Sequence, residues 1–232
     1  MTASGYERQT AAPLEDRLAE ALRGSGPLGI LAIVVILSGN FLFAPLSAVL
    51  VLLWAWRSHT PWRELGFVRP ESWIRTATIG IVFGVLLKFV VKMILMPLLG
   101  GPPINSAYHY LAGNTAALPG ILIAVIVVAG FGEETVFRGY MFERSRRLFG
   151  SSVLAKVLTV IFTAALFGSL HYREQGFAGA EQAWITGLTF GTTFAITGRI
   201  WMLMFAHAAY DVVAILLIYL NLESQVAHFL FK

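Results

Sequence analysis

The chain has no cysteine, and little charge for its length: 13% of its 232 residues are Asp, Glu, Lys or Arg. Without cysteine there is no disulfide framework, no thiolate metal site and no Cys nucleophile. So little charge does not suit an ordinary soluble domain, in which about a quarter of residues are charged. The alternating apolar and polar segments of an outer-membrane barrel are also missing. Glu7, Glu15, Asp16 and Glu20 precede the first apolar residues near Leu28, so no cleavable leader is expected.

What the chain has is apolar length. It is 57% hydrophobic with a mean hydropathy of +0.72. Several nearly uncharged windows are long enough for membrane-crossing helices. The fold expected is all-α: a multi-pass transmembrane bundle of about six to eight helices enclosing a polar intramembrane cavity.

Residues 1–27 read as a polar N-terminal arm. Its first dozen residues are expected to be disordered, and Leu14, Leu18 and Leu22 line one face of an interfacial helix. Residues 28–75 hold a first apolar block, Leu28 to Trp56, and a basic connector. That block is too long for one upright span and short for two, so a tilted helix and a tight pair of short ones both fit. Residues 76–220 form the core, with blocks Thr76–Leu99, Leu118–Arg144, Ser151–His171, Glu181–Gly198 and Ile200–Leu220; residues 221–232 are a tail. Gly80-xxx-Gly84 and Gly187-xxx-Gly191 have the small-residue spacing of close helix packing. Basic loops around Arg57–Arg75, Arg138–Lys156 and Arg199 belong in the cytoplasm, and 100–117, with no Lys or Arg, outside. Arg8, Arg17 and Arg23 favour a cytoplasmic N-terminus, which conflicts with a single first span.

The chemistry concentrates in Gly130-Phe-Gly-Glu-Glu-Thr-Val-Phe-Arg138. A carboxylate at membrane depth costs several kcal/mol unless paired or hydrated, so it marks a functional site. Glu134 and Arg138 share a helix face at i,i+4, while Glu133 points about 100° away and stays outside that pair. Two carboxylates in different environments can divide structural and acid/base work. His171 ends the fourth block in Phe167-Gly-Ser-Leu-His171, and His207-Ala-Ala-Tyr-Asp211 places two more polar groups on one face of the sixth. Convergence of three such clusters in one cavity is the economical expectation. For straight parallel spans their depths do not match, so tilted or broken helices are required.

Glu-Glu-xxx-Arg, Phe-xxx-His and His-xxx-Asp, in that order on successive helices, resemble the CPBP family. These are the CAAX-protease and bacteriocin-processing (Abi) intramembrane proteases, related to the eukaryotic Ras-converting endopeptidase. The resemblance runs from about Leu65 to Leu220 and includes Leu65-Gly-Phe67 and the approach from Trp201 to His207. It implies hydrolysis of a peptide bond in a membrane-associated or prenylated protein or peptide. Glu133 would activate water with help from His171, while His207 and Asp211 would steady the oxyanion. Glu134, Arg138 and Phe167 would support the site. The family's last motif position takes Asn or Asp. An ionised Asp211 only accepts hydrogen bonds, so it is expected to orient His207 rather than donate to the oxyanion.

The resemblance leaves the metal open: members are often called metalloproteases, and Glu133, His171 and His207 would be the ligands of a Zn²⁺ ion. No His-Glu-xx-His spacing is present and Glu134 is engaged by Arg138, so a metal-independent glutamate mechanism is the reading taken. Lys88 and Lys92 lie too deep for easy snorkelling. They either pair with the Glu residues or line the cavity and attract a substrate carboxylate. The partners expected are membrane lipids and a membrane-bound substrate, with no nucleic acid, in a prokaryotic cell membrane. Two other readings compete: an inactive relative serving as scaffold or self-immunity factor, and a proton-coupled transporter, against which the lack of visible inverted repeats counts.

Overall fold

A computed structural model describes residues 13–42 and 44–231; the expected disorder of residues 1–12 lies outside them. The described residues form helices and connecting turns, with no strand among them. Helix α1 spans Leu14–Arg23, α2 Pro27–Leu42 and α3 Ala44–Arg57. Helix α4 runs over Trp73–Leu98 and α5 over Thr115–Phe149. The run Val153–Thr197 is broken at Gly176, whose φ of 66° is open to glycine and unfavourable for other residues. We treat it as α6 (153–175) and α7 (177–197). Helix α8 spans Trp201–Tyr219 and the short α9 Glu223–Ala227. Four of these runs are long and apolar enough to cross a membrane: Trp73–Leu98, Thr115–Phe149, Val153–Thr197 and Trp201–Tyr219.

The first apolar block is a tight pair of short helices. Gly39 abuts Ser47, whose hydroxyl donates to the Ile36 carbonyl. At the other end the Trp54 indole donates to the Leu22 carbonyl at 3.1 Å, so α2 and α3 run antiparallel. The chain therefore returns to the side it started from before Arg57. This removes the conflict between the basic arm and a single first span.

α6 and α7 also fold back on each other. A Cβ built on Gly168 would lie 2.9 Å from the Ala180 carbonyl, and one on Gly187 2.9 Å from Cα of Ala164. Small residues thus let the two backbones approach closely. Gly80 and Gly84 do the same for α4 against α8. Their missing Cβ atoms would fall 2.5 Å from the Met202 oxygen and 2.0 Å from the Ala206 oxygen. Gly130 makes room for Ala208 where α5 crosses α8.

The basic face is tied together by Glu64, in the short 3₁₀ turn Trp62–Leu65. Its carboxylate lies 3.4 Å from Arg23, 2.8 Å from Arg146 and 2.9 Å from Arg147. Burial alone would raise the Glu64 pKa, but the guanidiniums of Arg147, Arg146 and Arg23 outweigh it and hold the carboxyl below its ordinary value. Arg144 donates to the carbonyls of Arg23 and Gly24 at 2.6 and 2.7 Å, which fastens α1 to the core. At the opposite face the buried pair Lys92–Glu223 (3.1 Å) joins α4 to α9, and Glu223 also accepts the Asn105 backbone N–H at 3.1 Å.

Candidate active site

Helix α5 carries the acidic pair. Its backbone is wound in π-helical turns over Ala124–Glu133 and Thr135–Tyr140, a wide winding that recurs at functional sites. Glu134 and Arg138 keep their i,i+4 relation, with Oε1 2.9 Å from Nη1 and both side chains sealed from solvent. Arg138 lies over the rings of Phe167 (5.0 Å) and Phe190 (5.6 Å) and reaches the Gly187 carbonyl at 3.4 Å. One guanidinium thereby joins α5, α6 and α7.

Glu134 has a second task that the spacing does not reveal. Nδ1–H of His207 donates to the same Oε1 at 2.7 Å. The other ring nitrogen, Nε2, faces Glu133 Oε2 at 3.8 Å and Asp211 Oδ2 at 3.5 Å. Glu134 thus joins Asp211 at the imidazole, a contact that the i,i+4 spacing of His207 and Asp211 does not foretell. Glu134 holds Nδ1, and Asp211 stands on the Nε2 side at longer range. The reason is geometric: Gly130 brings α5 within contact of Ala208, one residue from the histidine.

Glu133 is outside the Arg138 pair, and its Oε2 is buried with no hydrogen-bond partner. The rings of Phe137 and Phe167 are 4.9 Å apart on antiparallel α5 and α6. One turn further out on both helices, Glu133 and His171 come level across the same gap. Nδ1–H of His171 donates to the Phe167 carbonyl at 2.8 Å, which leaves Nε2 with its lone pair. Among the described residues His171 has no carboxylate within 4.0 Å. The depth mismatch disappears because α6 does not end at His171 but continues to the break at Gly176.

A cavity of about 360 Å³ is lined by Glu133, His171, His207 and Asp211 together with Phe137 and Phe167. Lys88 lines it too, 7% exposed. Its Nζ donates to Gln182 at 3.2 Å and sits 4.6 Å from the Tyr210 ring centroid. Lys92 does not line it. The pairing of Lys92 with the Glu residues of the motif, or its place in the cavity, is overturned by its bond to Glu223. Several polar lining residues have no motif behind them, among them Asn40, Tyr108, Gln175 and Gln182. Asn40 offers one signal, as an amide inside an otherwise apolar block. Tyr108 belongs to the loop before α5; burial, with Glu174 next, pushes its phenol up to about 12, so it remains a hydrogen-bond donor at neutral pH.

Among the described residues no three His, Asp or Glu side chains are grouped as a metal ion requires. The bond of Nδ1 to Glu134 leaves the other ring nitrogen of His207, Nε2, facing Glu133 and Asp211.

No curated protein and no solved structure matches the chain. A family model matches residues 115–213, which hold the acidic pair, both histidines and Asp211. Leu65-Gly-Phe67, part of the sequence resemblance, lies outside that match. The model is that of the family described as type II CAAX prenyl endopeptidase Rce1-like, a protease family and the one the motifs resemble.

Proposed function

We propose that the chain is a glutamate-dependent intramembrane endopeptidase of a prokaryotic membrane, acting on a membrane-associated or prenylated protein or peptide. The observation that supports this reading is the division between the two glutamates. Glu134 binds both Arg138 and His207 through Oε1 away from the cavity, while Glu133 takes part in neither bond and its unpartnered Oε2 lies beside a cavity large enough for a peptide segment and water.

In this reading Glu133 takes a proton from a water that also hydrogen-bonds Nε2 of His171. The resulting hydroxide attacks the peptide carbonyl carbon. Negative charge develops on the carbonyl oxygen, and His207, held by Glu134, donates Nε2–H to it. The tetrahedral intermediate collapses as Glu133 returns the proton to the departing nitrogen, so atoms and charge balance. Asp211, an acceptor when ionised, compensates the charge of the imidazolium. Lys88 is the buried cation left to receive an anionic group of the substrate, such as a free C-terminal carboxylate.

The experiment is peptide cleavage by purified protein beside Glu133→Gln. Loss of cleavage with an unchanged unfolding curve supports the enzyme. Glutamate-dependent proton flux without cleavage supports a carrier, and neither activity supports a scaffold.

A further inference from the structure

The cavity opens toward one face of the molecule, and charge separates the two faces. The rim comprises Asn105 and Tyr108 from the loop before α5, and Arg173, Glu174 and Gln175 at the turn between α6 and α7. Ile121, Val125 and Ile218 line the wall just below. The inner end closes at Phe137, Phe167, Thr186 and His207, backed by the buried Arg138 and Phe190. No residue of the basic connector, of the Gly139–Lys156 stretch or of the turn at Arg199 contributes to the lining.

Those excluded segments are where the exposed cations sit. Arg57, Arg63, Arg146, Arg147, Lys156 and Arg199 are all exposed on the face that Glu64 ties together. On the rim face, among the described residues, Arg173 is the one exposed cation, and it adjoins Glu174. Lys88 and Lys92 are buried there and so do not count as loop charge. The bias of short loops toward Lys and Arg on the cytoplasmic side is the strongest sequence determinant of orientation.

We infer that the candidate active site is reached from the extracytoplasmic face, and that its substrates are segments presented there: exported peptides, or proteins held at the outer leaflet. The inference rests on the protease reading for the word substrate, but the orientation stands on the cavity and the charges alone. It narrows the substrate class, because a protein prenylated and retained in the cytoplasm would meet the closed, basic face.

The absence of cysteine makes the test direct. Single-cysteine variants Ser106→Cys, on the rim loop, and Ser151→Cys, on the basic face, are labelled in intact bacterial cells with a membrane-impermeant maleimide; both positions are exposed and outside the site. Ser106→Cys should label in intact cells and Ser151→Cys after lysis alone. The reverse pattern overturns the inference. In parallel, a pool of charged, acylated fluorogenic peptides is added outside right-side-out and inside-out membrane vesicles, with Glu133→Gln as blank. Cleavage should be present in the first and lost in the second. Cleavage confined to inside-out vesicles overturns the inference. No cleavage by the detergent-solubilised protein overturns the protease reading, while the labelling still reports the orientation.

Discussion

Glu133 and Glu134 are the same residue type, one bond apart along the chain, and their neighbours assign them different work. Glu134 accepts from Arg138 and His207 through a single oxygen in a site closed to water. Removing one partner from such a buried set costs about 3–5 kcal/mol, because the remaining charges are left uncompensated. Glu134→Gln should therefore lower unfolding stability as well as turnover. Glu133→Gln should cut cleavage by roughly the 10²–10⁴-fold attributed to a positioned general base, with stability unchanged. Thermal unfolding and cleavage assays on the two purified variants decide the matter, and identical behaviour would contradict the division. Lys88 gives the second prediction at this scale. A charged hydrogen bond is worth about 1.5–3 kcal/mol, so Lys88→Met should raise KM roughly tenfold or more for a peptide with a free C-terminal carboxylate. The C-terminal amide of the same peptide should keep its KM. Equal effects on both would mean that Lys88 only balances the charge of Asp211.

Among the elements, the closest approach in the bundle is α4 against α8. Gly84 is the sharpest case, since a Cβ there would overlap the Ala206 carbonyl. Overpacking of this kind costs about 1–3 kcal/mol, and more where backbone must move. Gly84→Leu should destabilise the protein and shift α8, which carries His207 and Asp211; Gly120→Ala, whose Cβ would meet nothing within 4 Å, is the matched control. Unfolding curves and cleavage rates for the two variants test this. Much of that packing is legible in the sequence, because the glycine spacings and the three polar motifs each lie within one helix. What is not legible comes from contacts between helices. Nothing local says that the oxygen serving Arg138 also serves His207, 73 residues away. Lys92 reads like Lys88 until Glu223, 131 residues on, is seen beside it. The first apolar block is ambiguous for the same reason, since its length fits two solutions and the Gly39–Ser47 contact selects one.

At the scale of the whole molecule, the two faces are held by different devices. On the basic face one carboxylate, Glu64, collects Arg23, Arg146 and Arg147. Its pKa in the folded protein is below its ordinary value of 4.5, so the stability it adds is fully present above about that pH. That contribution is lost as pH falls through the lowered value. Acidification below the ordinary glutamate range should thus loosen the α1 attachment, read as faster proteolysis near Arg23, and Glu64→Gln should show the loosened state already at neutral pH. A pH-independent rate in the wild type would refute this. The opposite face depends on the buried Lys92–Glu223 pair, which also receives the Asn105 N–H. Glu223 belongs to the short last helix, beyond the family-matched segment, yet it anchors the loop that presents Tyr108 to the cavity rim. The end of the chain thus acts as a drawstring on the doorway: what happens to the final helix is felt by whatever passes through, with no change to any group that does the chemistry.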